Sequence, residues 1–145
     1  MIFVSGFVPE DRARWAELWR GYLDFYHTSV PEAQYELTWQ KLFDGRLRGF
    51  AARDGDGTLV GIAHTLSHEH GWAATPALYL QDLFVDPAAR GIGAGRALLD
   101  AVIDYGRSFD ASRIYWSTGQ DNATARRLYD QVASFEGSIR YEVPL

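Results

Sequence analysis

A chain of 145 residues suits one compact domain, 1–145. Apolar residues make up 47% and charged residues 23%, enough for an ordinary core, and the absence of cysteine excludes disulfides, cysteine–zinc sites and a cysteine acyl-enzyme. The net charge of −5 speaks against a nucleic-acid-binding surface, and no run approaches the roughly 18 apolar residues of a membrane span. Residues 1–10 lack the basic-then-apolar order of a signal peptide, so a cytoplasmic protein with no membrane partner is expected.

Ile2–Val8 reads as a first strand, and Pro9 suits the first position of a helix. Trp15, Leu18, Trp19, Tyr22, Leu23 and Tyr26 then recur at helical spacing. Pro31 opens a second helix containing Tyr35, Leu42 and Phe43, closed by Gly45. Leu47–Arg53 and Thr58–His68 read as hairpin partners around the turn Asp54-Gly55-Asp56-Gly57. A loop through Gly71 and Pro76 leads to the strand Ala77–Val85, ended by Asp86-Pro87. Ala94–Phe109 reads as a helix burying Leu98, Leu99, Val102 and Ile103. Arg113–Thr118 is a further strand, Asn122–Val132 a helix and Ser138–Val143 a short final strand. This order gives a mixed sheet with helices packed on it.

The most informative stretch is Asp86-Pro87-Ala88-Ala89-Arg90-Gly91-Ile92-Gly93-Ala94-Gly95-Arg96, between a strand and an amphipathic helix. Alternating glycines leave backbone N–H groups uncovered, and the helix start adds unpaired N–H groups and a positive dipole end. Together they form an anion cradle suited to a pyrophosphate, with Arg90 and Arg96 flanking it. A dinucleotide fingerprint would need a third glycine where Arg96 stands, and an acid near Tyr115-Trp116-Ser117. The P-loop pattern is absent. A tight turn without a ligand is the alternative.

In this stretch the sequence resembles the GNAT acetyltransferase superfamily. Arg90, Gly93 and Gly95 match that family's Arg/Gln-x-x-Gly-x-Gly/Ala signature. Asn122-Ala123-Thr124-Ala125-Arg126-Arg127-Leu128-Tyr129 matches its Asn-x-x-Ala-x-x-Leu-Tyr pattern. The wording Tyr79-Leu80-Gln81-Asp82-Leu83-Phe84-Val85 is similar to the branch with diamine and fungal histone, polyamine and D-amino-acid acetyltransferases. One departure is Ser134-Phe135-Glu136-Gly137-Ser138, where many members carry Gly-Phe after the motif tyrosine. The resemblance implies an α/β (α+β) fold with a central mixed, mostly antiparallel sheet and helices on both faces. It also implies an enzyme passing acetyl from acetyl-CoA to a primary amine by direct attack in a ternary complex.

On that resemblance, acetyl-CoA lies where Ala77–Val85 splays from Arg113–Thr118. Leu83, Phe84, Val85, Arg90, Gly91, Ile92, Gly93, Ala94, Gly95, Arg96, Asn122, Arg126 and Tyr129 are its expected contacts. An N–H near Leu83 would polarise the thioester carbonyl. Asp82 is the candidate general base, or else only binds a cationic substrate. The glutamate proposed as base in relatives aligns nearer Gln81, which cannot act as one. Tyr129 resembles the family's general acid, expected to protonate the departing thiolate, and its alternative is a core tyrosine. Asn122 is a pantetheine contact or a plain helix cap. The acceptor pocket is expected from Tyr22, Tyr26, His64, Gln81, Asp82 and Trp116, whose rings suit an ammonium. His64, His68 and His70 carry no metal-spacing motif, so no metal is expected. A small-molecule amine is the expected partner, and a homodimer is compatible with the aromatic content. A silent acyl-CoA-binding module and a protein acetyltransferase are the other functional readings.

Overall fold

The computed structural model describes residues 1–145. After strand β1 (Phe3–Ser5), Pro9 opens a single 3-10 turn, Pro9–Asp11, that runs into helix α1 (Arg12–Phe25). Helix α2 (Glu32–Lys41) starts after Pro31 and ends ahead of Gly45, which takes the left-handed φ of +88°. Strands β2 (Arg48–Arg53) and β3 (Leu59–His68) flank the acidic turn. There Asp54 Oδ1 accepts from the N–H groups of Asp56 and Thr58 at 2.9 and 3.0 Å. Strand β4 (Ala77–Val85), helix α3 (Ala94–Ser108), strand β5 (Ile114–Tyr115) and helix α4 (Ala123–Tyr129) complete the order.

The strands form one sheet in the order β1-β2-β3-β4-β5, antiparallel through β4, with β5 parallel to β4. Alternation along β2, and along β3 with one bulge at Val60, divides the core between the two faces. Ala51, Leu59 and Ile62 pack against Trp15, Leu18, Trp19, Tyr35 and Trp39 of α1 and α2. Phe50, Ala52, Val60 and Ala63 pack against Leu98, Leu99 and Val102 of α3. Helices therefore cover both faces, and burying each large side chain contributes about 1.5–3 kcal/mol.

A bulge in the β3–β4 ladder decides which face serves the chemistry. Ala63 pairs with Leu83 and His64 with Asp82, but Thr65 pairs with Leu80. Gln81 is thus an extra residue on β4. Before it, Leu78 and Leu80 face α3, and after it Leu83 and Val85 do. Phe84 instead joins the α1 side. Without the extra residue an unbroken period of two would put Asp82 on the same face as Leu80, against α3. With it, Asp82 stands under α1 beside His64.

Several extents differ from the sequence reading: α2 ends at Lys41, before Leu42 and Phe43, and α4 ends at Tyr129, short of Val132. The strand expected over Arg113–Thr118 pairs only at Ile114 and Tyr115, opposite Leu78 and Tyr79. The first strand is likewise reduced to Phe3–Ser5, on the sheet edge. No strand forms over Ser138–Val143. Ile139, Tyr141 and Val143 alternate as a strand would, yet are 79%, 88% and 79% exposed. Alternation alone provides neither ladder partners nor a covered face.

Candidate active site

The strand-to-helix connection is built to leave donors free. Asp86 caps the turn Pro87–Ala89 by accepting from the Ala88 N–H at 2.9 Å. Arg14 of α1 holds that carboxylate at 2.6 Å while its Nε donates to the Leu59 carbonyl at 3.0 Å. The Arg14 hydrogen bond, backed by the Ala88 N–H, draws the Asp86 pKa below the usual carboxylate range. Beyond this anchor Gly91 and Gly93 take φ of +84° and +89°, a conformation costly for other residues. Gly93 is the N-cap of α3. The backbone N–H groups from Arg90 through Arg96 donate to no backbone acceptor, and the first bond of the new helix is Ala97 to Gly93. Gly95 also makes room for packing, because a Cβ there would lie 3.3 Å from Leu128 of α4.

This row of free donors at the positive end of a 15-residue helix fits the diphosphate of coenzyme A. Arg90 and Arg96 differ in readiness. Arg90 is exposed, its guanidinium 5.9 Å from the Phe84 ring centroid, and it borders an open groove of about 430 Å³ with Arg14, Asp24 and Asp86. Arg96 already pairs with Asp100 at 3.0 Å, one turn along the same helix.

The second half of the site is the cleft where β4 and β5 part. Past Tyr79 the β5-facing edge of β4 has no ladder partner. The cleft, about 20 Å³, is lined by Tyr22, Tyr26, Leu80, Gln81, Leu83, Trp116, Ser117 and Tyr129. It is far smaller than the open groove at Arg90, yet it brings together several of the candidate site residues. Tyr22 and Tyr26 have ring centroids 5.0 Å apart, and Trp116 meets Tyr129 edge-on at 5.3 Å. The Tyr22 hydroxyl lies 3.4 Å from the Gln81 carbonyl and borders the Asp82 carboxylate. Burial, and then the Asp82 charge, push the phenols of Tyr22 and Tyr26 upward. Burial, and then Tyr26, do the same to Tyr129. All three phenols are therefore protonated donors through the neutral range.

Asp82 is set from behind. Its Oδ2 lies 2.8 Å from Nδ1 of His64, and Nε2 of His64 lies 3.0 Å from Nε1 of Trp15. His64 was expected in the acceptor wall, but it has no exposed surface and stands beneath Asp82 under a layer of aromatic rings. The bulge pairs it across the ladder with Asp82, which puts both side chains on one face.

Six expected residues, Tyr22, Tyr26, Gln81, Leu83, Trp116 and Tyr129, thus meet in one cleft with Asp82 beside them. Phe84 packs into the core and Val85 against Gly95. Asn122 caps α4, accepting from the Ala125 N–H at 3.4 Å and donating to Thr118 at 3.3 Å. Arg126 donates to the Gln120 carbonyl at 2.9 Å and lies over Phe135. The three histidines do not converge, since His68 meets the Tyr115 hydroxyl at 2.6 Å and His70 the Trp72 N–H at 3.1 Å. The sequence reading places Trp15 on the recurring face of the first helix and gives it no role in the site. Its indole contact with His64 follows from a ladder register that no local pattern reports.

A profile of the acetyltransferase (GNAT) family matches residues 15–135. The D-amino-acid N-acetyltransferase HPA3 of Saccharomyces cerevisiae is 31% identical over 144 residues, covering 97% of this chain and 89% of that protein. Among solved structures, the ribosomal-protein-alanine N-acetyltransferase of Brucella melitensis biovar Abortus 2308 superposes with a TM-score of 0.84 at 21% identity, covering 100% and 99% of the two chains. AAC(6')-Iy, bound to a CoA-linked acetylneamine bisubstrate analogue, gives a TM-score of 0.84 at 16% identity over 100% and 99%. These two likenesses carry the fold. With the family profile spanning most of its length, the chain belongs to the acetyltransferase (GNAT) family and is an acetyl-CoA-dependent N-acetyltransferase.

Proposed function

We propose that the acceptor is a small primary amine, with amino acids as the first class to test, attacked directly in a ternary complex. The observation that carries this reading is the cleft between β4 and β5. One narrow opening gathers aromatic rings and protonated phenols, and beside it, against the Tyr22 hydroxyl, stands a carboxylate that pairs with no lysine or arginine. Such a set suits an ammonium: Tyr22, Tyr26 and Trp116 offer ring faces and Asp82 a negative charge. The likeness to a D-amino-acid N-acetyltransferase along nearly the whole chain supports an amino-acid acceptor.

Bound acetyl-CoA supplies the acyl group as a thioester. The N–H groups of Arg90–Arg96 hold its diphosphate, and Arg90 adds a countercharge. Asp82 takes a proton from the ammonium, whose ordinary pKa is about 10, and so frees the lone pair. The new N–C bond then forms as the C–S bond breaks. The second proton lost by the nitrogen goes to the departing thiolate, which leaves as the free thiol of CoA, while Asp82 returns its proton to water. Tyr129 faces the departing sulfur. An unperturbed phenol near pKa ~10 is already a weaker acid than a thiol near ~8.5, and burial weakens Tyr129 further. A completed transfer to the thiolate would therefore run uphill. Tyr129 acts here as a hydrogen-bond donor to the sulfur, a revision of the general-acid role that the resemblance implied.

The test is release of free CoA from acetyl-CoA with D- and L-amino acids, polyamines, an aminoglycoside and a lysine peptide, each product identified by mass spectrometry. Acetylation concentrated in one small-amine class is expected. Exclusive acetylation of the peptide would overturn the small-acceptor reading. Acetyl-CoA binding with no release above hydrolysis in water would mark a silent acyl-CoA-binding module.

A further inference from the structure

His64 has both ring nitrogens engaged and no exposed surface, so it cannot meet the amine. The indole N–H of Trp15 only donates, so Nε2 of His64 must accept. The ring proton therefore sits on Nδ1 and is donated to Oδ2 of Asp82, 2.8 Å away. We infer that Trp15 and His64 are positioning residues for Asp82. The chain indole, imidazole, carboxylate fixes the carboxylate plane, occupies Oδ2 and leaves Oδ1 for the acceptor. This inference rests on Asp82 taking the amine proton.

The surroundings favour this over simple packing. Phe7, Trp15 and Trp19 close around the imidazole, and Asp82 is its titratable neighbour. Asp82 itself is faced by Tyr22 and Tyr26 from α1 and has no ion pair with a lysine or arginine. An arginine in the place of His64 would orient the carboxylate but also favour its charged form, and so weaken it as a base. A neutral N–H donor orients it with less of that loss. Burial beneath three aromatic rings adds rigidity, since turning the imidazole would break both of its buried hydrogen bonds.

Two measurements test this. In 15N NMR of the wild-type protein at neutral pH, His64 should be protonated on Nδ1 and bare on Nε2, with a coupling across the hydrogen bond to Trp15 Nε1. A proton on Nε2 would overturn the assignment. In kinetics with acetyl-CoA and the best acceptor from the amine panel, His64→Leu should lower kcat about 10–100-fold, part of what a positioned base supplies, with the KM for acetyl-CoA within about twofold. His64→Asn keeps an N–H near the place of Nδ1 and should recover most of the loss. Equal turnover in the two variants, each folded by near-ultraviolet circular dichroism, would reduce His64 to packing. Full turnover in Asp82→Asn, with the Nδ1 proton still seen in the wild type, would remove Asp82 as base and leave the hydrogen-bond chain standing.

Discussion

Trp15 and Trp19 stack at 5.3 Å on one face of α1, yet their indole nitrogens differ in fate. Trp15 Nε1 donates to His64, whereas the buried Nε1 of Trp19 has no hydrogen-bond partner. An unmade buried bond costs about 1–3 kcal/mol. Replacement by phenylalanine removes an unsatisfied donor at Trp19 but creates an unsatisfied acceptor on His64 at Trp15. Urea unfolding should therefore show Trp15→Phe to be less stable than Trp19→Phe by about 1–2 kcal/mol, although both lose the same volume. At Tyr129 the ring packs on Trp116, and in the proposed mechanism the hydroxyl is the part that meets the sulfur. Tyr129→Phe should lower kcat about 10–100-fold and leave the calorimetric affinity for acetyl-CoA within about twofold. Parallel losses in both would make it a binding residue.

In the proposed binding mode the connection from β4 to α3 holds the diphosphate chiefly through main chain, so charge placed in it should matter more than shape. Asparagine and aspartate both tolerate the left-handed φ of +89° at Gly93 and are nearly the same size. Gly93→Asp should bind acetyl-CoA at least about tenfold more weakly than Gly93→Asn by calorimetry, the difference being repulsion from the phosphates. Equal affinities would place the diphosphate elsewhere. This connection was legible in the sequence, since glycines at fixed spacing before an amphipathic run have few other uses. The helices were legible from their period, and β4 to the residue. The register was not. Gln81 looks like any strand residue, and its role as the extra one emerges only when β3 is paired against β4. For the same reason His64 and Asp82 read as two residues of one pocket wall rather than as bonded partners. At Ser138–Val143 the fault was the reverse, since a correct alternation found no neighbouring strand to satisfy it.

Across the whole molecule the least exposed carboxylate, Asp11, ties the entry of α1 to β2. It accepts from Arg53 at 2.9 and 2.7 Å and from the Val8 N–H at 2.9 Å. Burial alone would raise its pKa, but the Arg53 and Val8 hydrogen bonds together outweigh that and lower it. A lowered folded pKa stabilises the protein above the unfolded value of about 4, and this contribution is lost as pH falls through the folded value. Asp11→Asn should cost about 2 kcal/mol at neutral pH, below the range for a fully buried pair because Arg53 keeps some contact with water. The gap to wild type should close as unfolding is measured below about pH 4. The parting of β4 from β5 has an effect at this scale too. The sheet is stitched most firmly among β2, β3 and β4 and is held to β5 by two residue pairs, so its last seam is its weakest. A thioester arm laid into that seam would behave as a removable sixth stave, and loading the donor would then brace the fold as well as feed the reaction.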